Sequence, residues 1–250
     1  YLSMLALSMA YLAPLVIPQN YPDVIFLFGY YFLINLAVAA VNFIQPWKIL
    51  HQIAFFATMF IGGATIGIYA KTYQFDTLDI ILWLHITLFI WLSIRYSQLM
   101  LRAQNQLQTT DKAPRLTPIL DVGLIFSVPV LGFSLHAYLM HQSTTALTGG
   151  AVVLAVVYIA LNVWIKRQHP QLSALSKSFF ILAVVFIALI FPLAKGAHWT
   201  SSGWVIQGTA LIVWGVTERY RLSRYIGVAL VLMSSIALLL QVWSNDDFPI

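Results

Sequence analysis

Residues 24–44 read VIFLFGYYFLINLAVAAVNFI and decide the fold, because these 21 consecutive residues carry no charge. A helix of about 20 residues, rising about 1.5 Å per residue, crosses a hydrocarbon core of about 30 Å. Strands of a membrane barrel alternate in hydropathy over about ten residues, whereas this run is continuously apolar. The stretch is therefore a predicted transmembrane helix.

The composition extends this prediction to the whole chain of 250 residues. Hydrophobic residues make up 60% and charged residues 8%, whereas a soluble domain carries about 25% charged residues. A soluble monomer and a disordered chain are both excluded. We predict an all-α fold, a polytopic transmembrane helical bundle of about nine spans. The predicted spans are residues 1–17, 24–44, 49–70, 78–94, 119–140, 145–165, 178–194, 202–217 and 225–243.

The basic residues predict the orientation of the bundle. All but two of the 13 Lys and Arg residues lie in the connections after the second, fourth, sixth and eighth spans. The positive-inside rule makes these loops cytoplasmic, so the first span runs outward. Together with the absence of cysteine, this arrangement predicts a bacterial inner (cytoplasmic) membrane. The predicted cytoplasmic loops are residues 45–48, 95–118, 166–177 and 218–224.

No linker suggests a second domain, so residues 1–250 are predicted to form a single transmembrane domain. Apolar residues begin at once after Tyr1, which predicts a truncated first helix and a fragment of a larger multi-span protein. The expected partners are the lipid bilayer, the remaining spans of the parent chain and other membrane proteins. Basic cytoplasmic loops are sufficient to explain the isoelectric point of about 9.5. No nucleic-acid partner is predicted.

The densest stretch of functional residue types is 191–215, FPLAKGAHWTSSGWVIQGTALIVWG. It contains Trp199, Trp204 and Gln207, the last about one turn below the predicted outer surface. Aromatic rings beside an amide suit a sugar or a lipid headgroup, and they equally suit a helix hairpin anchored at the interface. We predict these three residues to bind substrate and leave the anchoring alternative open.

Asp121 and His136 complete the predicted substrate-binding set. Asp121 begins the fifth span and is either a proton or cation site or a helix N-terminal acid that is favoured by the dipole and wet at the interface. His136, near the outer end of that span, is either part of a relay with outer-face acids and histidines or a neutral residue bonded to a neighbouring helix. Neither H-x-x-x-H nor H-E-x-x-H spacing occurs, and we predict no metal and no cofactor.

Short landmarks recur in order along nearly the whole chain. They are Tyr11-Leu-Ala-Pro14; Phe28-Gly29-Tyr30-Tyr31 with Asn35; Asp121-Val-Gly123-Leu with Pro129; Pro192-Leu-Ala194; and Trp199-Thr200 with Trp204, Gly208 and Trp214-Gly215. In these landmarks the chain resembles a bacterial family of large predicted membrane proteins, catalogued as domain of unknown function 2339. The resemblance implies a longer parent with further spans on both sides, and it implies no activity.

One landmark departs from the family pattern. The family usually has an acid before the glycine that Gly208 matches, and here Gln207 occupies that position. Gln207 is therefore expected to form neutral hydrogen bonds and not to carry a proton.

The sequence leaves three function classes open. G-x-S-x-G, P-loop and G-x-G-x-x-G motifs are absent, so the residues do not decide whether the protein is an enzyme and identify no catalytic group. We favour transport or handling of a lipid-linked or envelope substrate, because proline-broken helices suit a cavity. The alternatives are a membrane enzyme acting on envelope glycan or lipid, with His136 or His198 as general base, and a structural or assembly subunit.

Overall fold

The structure, a computed structural model, describes residues 2–16, 23–44, 48–108, 121–195, 197–217, 219 and 221–244. Every regular element in these residues is helical, and the predicted all-α class is confirmed. The helices are α1 (Leu2–Val16), α2 (Val24–Ile44), α3 (Lys48–Ala57), α4 (Gly63–Tyr69), α5 (Phe75–Gln108), α6 (Val122–Leu139), α7 (Thr144–Gln168), α8 (Ser173–Lys195), α9 (Ala197–Thr217) and α10 (Arg221–Ser244). A π-helical turn, Thr58–Gly62, joins α3 to α4.

Six of the described helical segments are long and apolar enough to cross a bilayer, and two shorter apolar helices, Leu5–Pro14 and Gly123–Leu139, accompany them. The protein is thus a membrane protein with several apolar helices, while the count of nine spans stays a prediction. The six segments are Val24–Asn42, Lys48–Tyr69, Thr72–Arg102, Thr144–Gln168, Pro170–Ala194 and Arg221–Leu239.

The fourth predicted span, 78–94, is much shorter than the helix that contains it. Helix α5 continues to Gln108 through the polar sequence that was predicted to begin a cytoplasmic loop. Glutamine, leucine and arginine dominate this extension, and all three are good helix formers. Hydropathy marks where a helix leaves lipid, and it does not mark where the helix ends.

Two compact units divide the chain. Unit 1 comprises Tyr1–Gln142 with Leu161–Phe179, and unit 2 comprises Ser143–Ala160 with Phe180–Ile250. The expectation of a single domain over residues 1–250 stays a prediction.

The core of unit 1 forms around α5. Leu78, Leu82, Ile86 and Phe89 recur at helical spacing on this helix and are completely or almost completely buried. Gly132 of α6 lies so close that a Cβ built there would be 2.8 Å from Ile86 Cγ1. The two helices therefore pack tightly at this point.

Unit 2 is built on the α9–α10 pair, which meets at two glycines. A Cβ built on Gly208 would lie 2.7 Å from the Gly227 carbonyl oxygen, and one on Gly227 would lie 2.6 Å from the Gly208 oxygen. Small residues let membrane helices approach this closely. Elsewhere in the unit, Tyr158 of α7 stacks on Phe186 of α8 with ring centroids 6.0 Å apart.

Candidate functional site

Two of the five predicted substrate-binding residues, Asp121 and His136, lie far apart within unit 1. Asp121 and His136 stand at opposite ends of α6 in unit 1, and 15 residues of helix separate them by about 22 Å. Trp204 and Gln207 belong to α9 in unit 2. Trp199 lies on the same helix, but its side chain is outside the described residues. Whether any of the five binds substrate stays a prediction.

Asp121 is completely buried and is the centre of a polar cluster. His51 Nε2 donates to Asp121 Oδ2 at 2.7 Å, and Gln52 Nε2 donates to Oδ1 at 2.6 Å. Lys48 Nζ lies 3.8 Å from Oδ1. The carboxylate also accepts the Leu124 backbone N–H at 3.3 Å, so Asp121 is the acid that begins α6, but its complete burial contradicts the expected wet position at the interface. The cluster thereby ties α3 to α6.

The residues that surround Asp121 were missed by the sequence analysis. His51 and Gln52 precede the aspartate by about 70 positions, and no short motif links them. A signal existed in the spacing of Lys48, His51 and Gln52, because positions i, i+3 and i+4 share one helix face. Three polar residues on one face of an apolar helix indicate a buried partner of opposite charge.

His136 forms the second His–carboxylate pair, at the other end of α6. Its Nδ1 donates to Asp79 Oδ1 of α5 at 2.7 Å, and the Trp83 indole N–H donates to Asp79 Oδ2 at 3.2 Å. The His136 side chain is 3% exposed and that of Asp79 is 13% exposed. The pairing agrees with a His136 bonded to a neighbouring helix, here through a carboxylate.

His136 bonds to Asp79, whereas His85 of α5, a further histidine within a predicted span, bonds within its own helix. His85 donates from Nδ1 to the Ile81 carbonyl of its own helix at 2.9 Å and stacks against Phe28 at 4.6 Å. Within the described ranges, no three histidine, aspartate or glutamate side chains come together as candidate metal ligands. Among the described residues of unit 1, His51–Asp121 and His136–Asp79 are two separate His–carboxylate pairs.

Trp204 and Gln207 both bond to backbone carbonyls of α8. The Trp204 indole N–H donates to the Ala188 oxygen at 2.8 Å, and Gln207 Nε2 donates to the Val184 oxygen at 3.0 Å. The expected neutral hydrogen-bonding role of Gln207 is confirmed. Both side chains join α8 to α9, as the helix-hairpin alternative requires.

An open groove of about 540 Å³ lies elsewhere in unit 2, where α7 begins and α8 ends. Hydroxyl and aliphatic side chains both line it, and the sequence analysis did not identify them. The lining residues are Thr144, Thr145, Thr148, Gly149, Val152, Val153 and Ala194. Such a mixed lining suits an amphiphile better than a small polar solute.

Apolar helices of membrane-spanning length define the class, a polytopic α-helical membrane protein. The chain belongs to the predicted membrane protein family DUF2339, whose model matches residues 1–248. The resemblance found in the landmarks is thereby confirmed. No curated protein and no solved structure matches the chain.

Proposed function

We propose that the protein binds and moves a lipid-linked envelope substrate at the outer surface of a bacterial inner membrane. The observation that carries the proposal is the groove between the start of α7 and the end of α8. The positive-inside rule predicts that both of these helix ends lie at the outer surface. The substrate would enter the groove sideways from the outer leaflet.

The side chains of the groove match the two parts of such a substrate. Thr144 and Thr145 occupy the first turn of α7, and Thr148 follows one turn later. Threonine hydroxyls donate to phosphate oxygens, and they both donate to and accept from sugar hydroxyls. Val152 and Val153, 40% and 49% exposed, lie farther along the same helix, where they would contact the hydrocarbon chain. Polar groups at the helix end and apolar groups beyond it favour a lipid whose headgroup stays at the interface.

The first turn of α7 adds an attraction for anions. A helix N-terminus carries unpaired backbone N–H groups and a partial positive charge. The Ser143 hydroxyl accepts the Ala146 N–H at 3.2 Å, which leaves other first-turn donors for a ligand. A phosphate-bearing headgroup would therefore be favoured over a neutral one.

Site-specific photo-cross-linking tests this proposal. Benzoylphenylalanine replaces Val153 in the groove or, as a control, Ile206, which is 70% exposed on α9. The full chain in phospholipid nanodiscs is then illuminated with radiolabelled polyprenyl phosphate. We expect labelling from position 153 to exceed that from position 206 several-fold and to be competed by unlabelled polyprenyl phosphate. Equal labelling from both positions would refute the groove as a substrate site.

The threonines supply a second arm of the same experiment. Thr145→Val and Thr148→Val keep the side-chain shape and remove the hydroxyl, so labelling from position 153 should fall. The matched control is Thr217→Val at the last residue of α9, where the hydroxyl only bonds to the Val213 carbonyl. A loss of labelling in the control as large as in the groove variants would contradict headgroup recognition.

A second candidate function is supported by the His136–Asp79 pair. A carboxylate that holds a histidine in one tautomer prepares it as a general base, so a membrane enzyme acting on envelope glycan or lipid is the alternative. The test is hydrolysis of a radiolabelled polyprenyl-linked glycan by the full chain. Hydrolysis that is lost in both His136→Gln and Asp79→Asn would favour the enzyme. An assembly subunit would neither turn over this substrate nor label at position 153.

A further inference from the structure

Helix α8 contains a break in its hydrogen bonding at Pro192. An α-helix joins each backbone N–H to the carbonyl four residues earlier, and proline has no N–H to give. The Ala188 carbonyl therefore lacks its normal helical donor. An unpaired carbonyl in an apolar environment is costly, so a substitute donor is expected.

Trp204 supplies that donor from the next helix. Its indole N–H lies 2.8 Å from the Ala188 oxygen, which is the carbonyl that Pro192 leaves open. One turn earlier on α8, the Val184 oxygen accepts a hydrogen bond from Gln207 Nε2 at 3.0 Å. The helices approach closely here, because a Cβ built on Gly203 would lie 2.3 Å from the Phe191 ring.

The same arrangement occurs independently in unit 1. Pro14 of α1 leaves the Ala10 carbonyl without its donor, and the Tyr30 hydroxyl of α2 donates to that oxygen at 3.2 Å. The neighbouring Tyr31 hydroxyl donates to the Tyr11 carbonyl at 3.0 Å. In both units an aromatic donor on the following helix bonds to the carbonyl four residues before the proline. This recurrence indicates that the bond compensates for the proline.

The break in α8 differs in its position beside the groove. Ala194, two residues beyond Pro192, is the residue that α8 contributes to the groove lining. The bonds from Trp204 and Gln207 fix α8 just before the break, and the turn after the break carries the groove wall.

We propose that Trp204 and Gln207 form a latch on the Pro192 break and so set the width of the groove. Both are positioning residues, which act on the groove through the backbone of α8. The Gln207 side-chain oxygen is buried and has no partner in the structure, so the latched state leaves one acceptor unpaired. A buried unpaired acceptor costs free energy, which lowers the free-energy difference between this arrangement of the amide and one that pairs the oxygen. The latch concerns the site of the proposed function, but its existence does not depend on which ligand the groove binds.

The test removes the indole N–H and keeps an aromatic ring. Trp204→Phe should accelerate amide exchange at residues 189–195 by about threefold to tenfold, the equivalent of one interhelical hydrogen bond in a membrane protein. It should also broaden the distance distribution between spin labels at Val153→Cys and Ala194→Cys. These are unique labelling sites because the chain has no cysteine. Both measurements use the full chain in nanodiscs without polyprenyl phosphate.

Two controls separate the latch from general packing. Trp214→Phe makes the same change on the same helix, where the ring contacts Phe180 with centroids 5.5 Å apart, and exchange at 189–195 should not change. Pro192→Ala restores the backbone donor, so the double variant with Trp204→Phe should recover slow exchange and the narrow distance distribution.

The outcomes are decisive in both directions. Unchanged exchange in Trp204→Phe, or no recovery in the double variant with Pro192→Ala, would overturn the latch. The lipid cross-linking experiment can fail while Trp204→Phe accelerates exchange at residues 189–195 and the double variant reverses this. That combination would refute the proposed substrate and support the latch.

Discussion

Both units contain interhelical bonds to backbone carbonyls, and unit 1 adds contacts between pairs of side chains. In unit 1, His51 bonds to Asp121, His136 bonds to Asp79, and Asn35 donates to Thr58 at 2.9 Å. Each of these contacts joins two side chains. In unit 2, Trp204, Gln207, Ser223 and Ser234 all donate to backbone carbonyls of a neighbouring helix.

This difference indicates two ways of holding membrane helices together. A bond between two side chains needs both residues, and a buried carboxylate without its partner is strongly destabilising. A bond to a backbone carbonyl needs one polar residue, because every helix already presents the acceptor. Unit 1 is therefore sensitive to single substitutions at its pairs, and unit 2 depends more on close backbone approach.

The largest effect is expected at Asp121 of unit 1. Asp121→Ala removes the partner of His51, Gln52 and Lys48 in a completely buried site. We expect the free energy of unfolding, measured by SDS titration in mixed micelles, to fall by about 3–5 kcal/mol. Asp76→Ala, an exposed acid in the first turn of α5, is the control and should cost less than about 1 kcal/mol. Equal costs would contradict the claim that buried side-chain pairs stabilise unit 1.

The strongest effect in unit 2 should come from a glycine. Gly208→Val places a side chain against the Gly227 carbonyl, where even the Cβ would be only 2.7 Å from the oxygen. Overpacking of this kind costs about 3 kcal/mol, to be measured by the same titration. Gly149→Val on α7 is the control, since a Cβ there meets nothing within 4 Å. A tolerated valine at position 208 would mean that α9 and α10 are not held by backbone proximity.

Substitution of one polar residue in each unit compares the stability contributions of the two kinds of contact directly. Asn35→Ala leaves the buried Tyr11 hydroxyl without its acceptor, and we expect a loss of about 2 kcal/mol. Ser223→Ala in unit 2 removes one donor to the Leu211 carbonyl, at 2.7 Å, and should cost about 0.6 kcal/mol. Thermal melting in detergent gives the order of the two variants. A reversed order would contradict the view that side-chain pairs dominate unit 1.

The smallest effect is expected at the proline break of unit 1. Tyr30→Phe removes the hydroxyl that bonds to the Ala10 carbonyl, and we expect a loss of about 0.6 kcal/mol. Amide exchange along α1 should increase while exchange in α10 stays constant. Tyr73→Phe, at a side chain 78% exposed, is the control. Slower exchange in α1 would show that this bond does not compensate for Pro14.

The apolar runs of the sequence were sufficient to predict the fold class. They did not predict which polar residues pair with each other. Asp121 was identified as the start of a span, and the structure confirms that it caps α6 through the Leu124 N–H. Its partners His51 and Gln52 were not identified, because they lie on a helix 70 positions away. Trp204 and Gln207 were identified as a set, but their acceptors are backbone carbonyls that carry no sequence signal.

The sequence by itself determined that helices form, that several of them are apolar enough to cross a bilayer, and which family the landmarks resemble. Hydropathy and landmark order are local properties of the chain, so they can be read directly. Only the tertiary structure decided which histidine meets which aspartate, that two glycines bring α9 and α10 together, and that threonines of α7 and Ala194 share a groove. All apolar helices present similar surfaces to lipid, and the choice of neighbours depends on packing between residues that are far apart in the chain.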